Sequence, residues 1–277
     1  MIAFVLLAST LLVQAAAPAA APRDPSLPPS AEQAKAALDG SPRHGEYVDL
    51  PYAGGPKLKT WVSYPERKDK AGVVIVIQEV FGLTDWLRGV ADQLAKEGFI
   101  AVAPDMVSGY GPNGGGTDSV PSRDDVVALV RKISPEEADH RLSAVRDWAV
   151  KIPAGNGHVA TVGFCWGGAR SFAYAGARPD LAAAVVYYGA SPEAPVIDAI
   201  RAPVLGHYGG DDDRVDATIP PAEAQMKKLG KIFEVHVYPG AGHGFLRDQS
   251  GRDGANLKAT KESWPRTVAF LKEKLGS

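Results

Sequence analysis

The chain has 277 residues, 45% of them hydrophobic, with 30 basic and 32 acidic side chains and a formal net charge of −2. That is enough apolar material for one sizeable core, and charge of both signs scattered without long runs gives no electrostatic case for nucleic acid or for an anionic membrane surface. The lone cysteine excludes an internal disulfide, which leaves a domain acting on, or binding, a small neutral or anionic molecule.

In chain order, Ile2 to Val13 is an apolar stretch followed by Gln14-Ala15-Ala16-Ala17, a small-residue pattern like a secretory cleavage site. The stretch is too short to span a bilayer, carries no Lys or Arg before it, and is followed by no cysteine that would take a lipid. The reading is a signal peptide over residues 1–16, export to the periplasm or beyond, and no stable membrane insertion after cleavage. Ala and Pro dominate from Ala15 to Pro29, a composition that builds no core. Residues 17–43 are therefore expected to be linker and lead-in, with order beginning at about Ala31 to Tyr47 and one catalytic domain over residues 44–277.

Glu46 to Leu50 and Leu58 to Tyr64 predict an antiparallel pair of edge strands joined across Ala53-Gly54-Gly55-Pro56. Beyond it, apolar strands at Gly72–Ile77, Ile100–Ala103, Val159–Val162, Ala182–Tyr188, Pro203–Tyr208 and Phe233–Tyr238 alternate with helical patterns. The helices fall at Trp86–Glu97, Ser134–Lys151, Trp166–Ala177, Ala222–Leu229 and Lys258–Lys274. The alternation predicts an α/β fold with about eight strands, mostly parallel, covered by helices on both faces in a single domain. The longest irregular segment, Val107 to Arg123, holds the run Gly109 to Gly116; lacking a Lys-Ser/Thr pair and an immediate helix, it is not a phosphate loop, and it is expected to be a mobile surface loop beside the site.

The chemistry concentrates at Gly163-Phe164-Cys165-Trp166-Gly167-Gly168, directly after the strand Val159–Val162. A strand that turns at once into a helix forces the middle residue into a strained backbone, and glycines two positions either side leave room for the chain. The Cys165 sulfur is thereby presented at a helix N-terminus, where unpaired N–H groups favour thiolate. The competing reading is a buried, inert cysteine.

A nucleophile of this kind needs a base. Among six histidines, His243 lies in the glycine-rich segment Pro239-Gly240-Ala241-Gly242-His243-Gly244-Phe245, just past the last strand, where it can reach the turn. His207 sits inside an apolar strand and reads as a hydrogen-bonded core residue; His236, His140, His158 and His44 read as structural. The base needs a carboxylate to hold its tautomer, and Asp211, Asp212 and Asp213 follow the strand Pro203–Tyr208; Asp212 is the choice, with a solvated acidic turn as the alternative. The order Cys165, Asp212, His243 is that of the α/β-hydrolase fold.

Together with Gln78-Glu79-Val80-Phe81-Gly82 and His243-Gly244-Phe245, these motifs resemble the dienelactone hydrolase family across roughly Val48 to Leu271. The resemblance implies a single-domain α/β-hydrolase without a large cap, a Cys165–His243–Asp212 triad, no cofactor and no metal, and cleavage of an enol-lactone. It also implies that Glu79 contacts the nucleophilic thiol and helps to ionise it once substrate is bound, and that Arg247 binds a substrate carboxylate; a structural acceptor for backbone N–H groups and a surface salt bridge are the respective alternatives. The backbone amides of Val80 and Trp166 are the expected oxyanion hole. The family's other substrate arginine would fall just after Pro104-Asp105, where this chain reads Met106-Val107-Ser108-Gly109-Tyr110. Two other functions fit the same scaffold: a broad carboxylesterase or thioesterase, and a non-catalytic binding protein.

Overall fold

The computed structural model describes residues 23–276; the signal-like stretch and its cleavage site lie outside the described residues. The elements are α1 (Ala34–Asp39), β1 (Gly45–Leu50), β2 (Leu58–Ser63), β3 (Ala71–Ile77), α2 (Asp85–Lys96), β4 (Ile100–Pro104), α3 (Arg123–Val130), α4 (Pro135–Ala149), β5 (Gly155–Phe164), α5 (Trp166–Ala177), β6 (Ala183–Tyr187), α6 (Ala194–Ala199), β7 (Val204–Gly209), α7 (Asp213–Asp216), α8 (Ile219–Lys228), β8 (Phe233–Tyr238) and α9 (Ala255–Leu275).

One eight-stranded sheet runs β1-β2-β4-β3-β5-β6-β7-β8. Pairs β1·β2 and β2·β4 are antiparallel and the rest parallel. Of the leading hairpin only β1 is an edge; β2 is covered by β4, because Thr60 to Ser63 pair with Ala101 to Pro104. Strand side chains alternate between two cores. Val73, Ile75 and Ile77 of β3 pack with α4, α5 and α8, while Val74 and Val76 pack with α2 and α9. Both faces of β3 are fully buried, as a parallel strand between two helical layers requires.

Helix starts follow capping chemistry. Thr84, Ser122 and Ser134 each accept a backbone N–H of the first turn of α2, α3 and α4, satisfying donors that the helix itself leaves unpaired. Helix α3 falls at the end of the segment expected to be loop, and the rest of that segment is tied down. The Asp105 carboxylate accepts from the Thr117 amide at 2.7 Å, the Thr117 hydroxyl at 2.7 Å and the Val107 amide at 2.9 Å. The Thr117 hydroxyl in turn accepts the Leu83 amide at 3.0 Å, which braces the glycine segment against the turn after β3. Arg141, buried on α4, donates to the carbonyls of Met106 and Ser108.

Ala/Pro-rich residues expected to be linker also pack. Leu27 is 4% exposed and belongs to the α2–α9 core, a burial that contributes about 1.5–3 kcal/mol, and Pro28 to Ser30 are buried beside it. No helix among the described residues is long and apolar enough to cross a membrane.

His207, fully buried in β7, is bound at both ring nitrogens: Nδ1 lies 2.9 Å from the Tyr238 hydroxyl and Nε2 3.0 Å from Thr267 Oγ1. Burial is the main reason that its pKa falls well below the ordinary 6.5, with His236 and Arg266 opposing a further positive charge. The unfolded chain therefore binds a proton here below pH 6.5 that the folded chain refuses, so the contribution is intact above 6.5 and is lost as the pH falls below it. His207→Gln is expected to remove up to about 1.4 kcal/mol per pH unit from the slope of unfolding free energy below pH 6.5, measured by urea unfolding across pH; identical slopes in the two proteins contradict this.

Candidate active site

Cys165 ends β5 and begins α5 with φ 55° and ψ −116°, a conformation costly for any side-chain-bearing residue. The crossing leaves no space for side chains around it. A Cβ on Gly163 would lie 1.9 Å from the Gly167 carbonyl oxygen, and one on Gly167 would lie 2.3 Å from the Gln78 carbonyl oxygen at the end of β3. The Cys165 amide is fixed to the Tyr187 carbonyl at 3.0 Å. Its sulfur, half-buried, receives the backbone N–H groups of both Trp166 and Val80.

The helix N-terminus favours the thiolate through the Trp166 amide, as expected from the sequence, but the net shift of this thiol's pKa is upward. Burial first, and the negative charge of Glu79 second, raise it to about 11, outweighing the Trp166 and Val80 amides and the more distant Arg214. Withdrawal from water disfavours the charged form more than a few N–H dipoles favour it.

Asp212 and His243 are brought together from the ends of β7 and β8. Asp212 Oδ2 lies 2.5 Å from His243 Nδ1, with Asp212 8% exposed and the imidazole reaching solvent. Neighbouring acids are engaged elsewhere or exposed: Asp211 pairs with Arg252 at 3.0 Å, and Asp213 opens the surface helix α7. Tyr188, whose ring stands 5.1 Å from that of His243, is buried with φ 41°, a second strained residue beside the elbow.

On the other side, Glu79 is 3% exposed and its Oε2 lies 2.9 Å from Nε of Arg247. Burial raises its pKa to about 7 even though Arg247 and Arg123 lower it. The buried phenol of Tyr188 faces the same carboxylate, whose charge pushes its own pKa up after burial has done so. Arg247 is thus held at rest in a salt bridge, partly exposed itself but paired with the buried Glu79 carboxylate. Two guanidinium groups approach the Phe81 ring, Arg123 at 3.6 Å and Arg247 at 5.2 Å from its centroid, and the three border a cavity of about 350 Å³ with Ala31, Thr84 and Trp86. Among the described residues no group of three or more His, Cys, Asp or Glu is placed to hold a metal ion.

Sequence reasoning missed Arg123 and Tyr188. For Arg123 a signal existed: Ser122-x-x-Asp125 is a capping pattern, and an arginine in the first turn opposes the helix dipole, so its place there is not explained by helix stability. For Tyr188 no sequence signal reveals the positive φ.

Residues 58–275 match the pattern of the Dienelactone hydrolase family. A carboxymethylenebutenolidase of Cupriavidus pinatubonensis is 32% identical over 227 residues, covering 81% of this chain and 95% of its own. A candidate carboxymethylenebutenolidase of Salmonella typhimurium is 31% identical over 268 residues, covering 92% and 94% respectively. A crystal structure of a candidate dienelactone hydrolase from Klebsiella pneumoniae superposes with a TM-score of 0.71 at 28% identity, over 82% of this chain and 97% of that one. With the fold, the elbow and the matched span in agreement, the chain belongs to the dienelactone hydrolase family and has its α/β-hydrolase fold.

Proposed function

We propose that the protein hydrolyses small esters or lactones that carry a carboxylate, through a thioester formed on Cys165. The observation that carries this reading is the convergence on one sulfur of two backbone N–H groups, those of Val80 and Trp166, with a buried carboxylate beside it. The Asp212–His243 pair at 2.5 Å supplies the base.

In this mechanism the resting thiol is protonated, as a pKa of about 11 requires. A substrate carboxylate that pairs with Arg247 takes away the cation that stabilises Glu79 as an anion, and the Glu79 carboxylate then accepts the thiol proton. Negative charge passes from oxygen to sulfur, and none is created. Sulfur attacks the carbonyl carbon, and the amides that faced the thiol hold the developing oxyanion. As the C–O bond breaks, the departing oxygen takes the proton from Glu79. Water then loses a proton to His243 and attacks the thioester; sulfur leaves and takes that proton, restoring the thiol. Asp212 holds the imidazole tautomer and stabilises its charged form. Arg123 adds a second positive charge to the lining of the same cavity, a further feature that favours acid-bearing substrates.

Cys165→Ala is expected to abolish turnover of activated esters while the protein stays folded by circular dichroism, and Cys165→Ser to keep only a small residue of activity. Turnover comparable to wild type in the alanine variant excludes sulfur as the nucleophile. Comparing a dienelactone with simple aryl esters and acyl thioesters separates this reading from a broad esterase or thioesterase.

Glu79 must be ionised to accept the thiol proton, so kcat/KM is expected to rise with pH through about 7. Glu79→Gln should lose that limb and fall by about 100-fold; a variant that keeps the same limb assigns the ionisation to another group.

A further inference from the structure

Residues Asp24 to Ala31 lie outside the span that matches the family, 58–275, yet they touch the segment that carries Arg247. The Ala31 amide donates to the Arg247 carbonyl at 3.0 Å, and Gln249 Nε2 donates to the Pro28 carbonyl at 3.0 Å and to that of Leu246 at 3.1 Å. At its other end the strap is fixed to α2. Gln93 and Lys96 both donate to the Pro25 carbonyl, at 3.3 and 2.7 Å, and Arg23 donates to Gln93 Oε1 at 2.7 Å. Leu27 is buried between these points.

Gly89 of α2 is shaped to this contact. A Cβ there would meet Pro29 Cγ at 2.7 Å and Pro29 Cδ at 3.5 Å, with Ala34 Cβ next at 3.8 Å. All three neighbours belong to the strap or to α1, and none to the sheet. Glycine in a helix interior costs stability relative to alanine, and at this position the cost is offset by the close approach of the proline. Ala31 itself borders the cavity over Phe81 together with Arg123 and Arg247.

We infer that the strap Asp24–Ala31 is a working part of the substrate site: it fixes the main chain at Arg247, walls the cavity over Phe81 and so sets selectivity for esters bearing an anionic group. The inference rests on the reading of Arg247 given above. Arg247 must leave Glu79 for the substrate at a defined distance, and a backbone held at two points from outside the loop keeps that distance fixed. A displaced strap leaves the elbow, the Asp212–His243 pair and the two amides untouched while letting Arg247 drift.

Two variants remove the strap's hold without touching the reacting groups, Gly89→Leu by evicting Pro29 and Gln249→Ala by cutting the bond to Pro28; if one fails to fold, the other decides. With para-nitrophenyl hemisuccinate as the anionic probe and para-nitrophenyl acetate as the neutral one, KM for the hemisuccinate is expected to rise about tenfold, with the acetate constants within about twofold of wild type. Parallel changes with both esters, or none with either, overturn the inference. Arg247→Ala serves as the control: if it leaves the preference between the two esters unchanged, the anion reading of Arg247 fails, and the strap is then judged by hydrogen exchange. Amides of residues 244–249 that exchange about tenfold faster in Gly89→Leu uphold the strap's role in holding the loop, and unchanged exchange rejects it.

Discussion

The site depends on one backbone crossing, in which β5 turns into α5 at Cys165 with φ 55° and ψ −116°. The turn is strained, and it persists because its surroundings allow no alternative. Gly163 and Gly167 bring main chain against main chain at distances a single methyl group would close, and the Cys165 amide is bound to β6. The strain puts the sulfur at the carboxyl end of the parallel strands, where the turns after β3, β7 and β8 also arrive. Val80, Asp212 and His243 come from those three turns, so an α/β sheet assembles a site from residues far apart in sequence.

Two charge pairs gather at this edge of the sheet and differ in their exposure. Asp212 and His243 form an acid–base pair that reaches solvent. Glu79 and Arg247 form an ion pair whose carboxylate is nearly sealed from water. Burying a carboxylate next to a thiol holds the thiol neutral, and only the guanidinium makes the carboxylate's own charge tolerable. A resting enzyme of this design keeps its one cysteine in the less reactive, less oxidisable form, and a substrate that competes for Arg247 alters the balance. In the proposed mechanism, recognition of an anion is thereby coupled to ionisation of the thiol.

Much of this was legible in the sequence for identifiable reasons. Glycine spacing around Cys165 is dictated by sterics alone, and fully buried strands such as β3 announce themselves as unbroken apolar runs. His207 could be set aside because it sits among Val204, Leu205 and Tyr208. Other features depended on tertiary context. The thiol's raised pKa reflects burial and the charge of Glu79, which no local motif reports and which outweigh the helix N-terminal amide. Helix α3 was hidden behind a glycine-rich run, and β5 begins at Gly155, ahead of its apolar stretch, through Asn156 and His158. The strap escaped because Ala and Pro composition carries no periodicity; what orders it is the groove on α2 at Gly89 and the carbonyls offered to Gln93, Lys96 and Gln249. Arg123 was missed because it opens a helix in a stretch that read as loop.

The central claim is that sulfur of Cys165 becomes covalently acylated during turnover. Acid quenching within the first turnover of a slowly deacylating aryl ester, followed by peptide mass spectrometry, measures this directly. The account predicts one acyl group per chain, on the peptide containing Cys165, appearing with the burst of released phenol. An adduct on a different residue, or a full burst of phenol with no adduct at all, would contradict it.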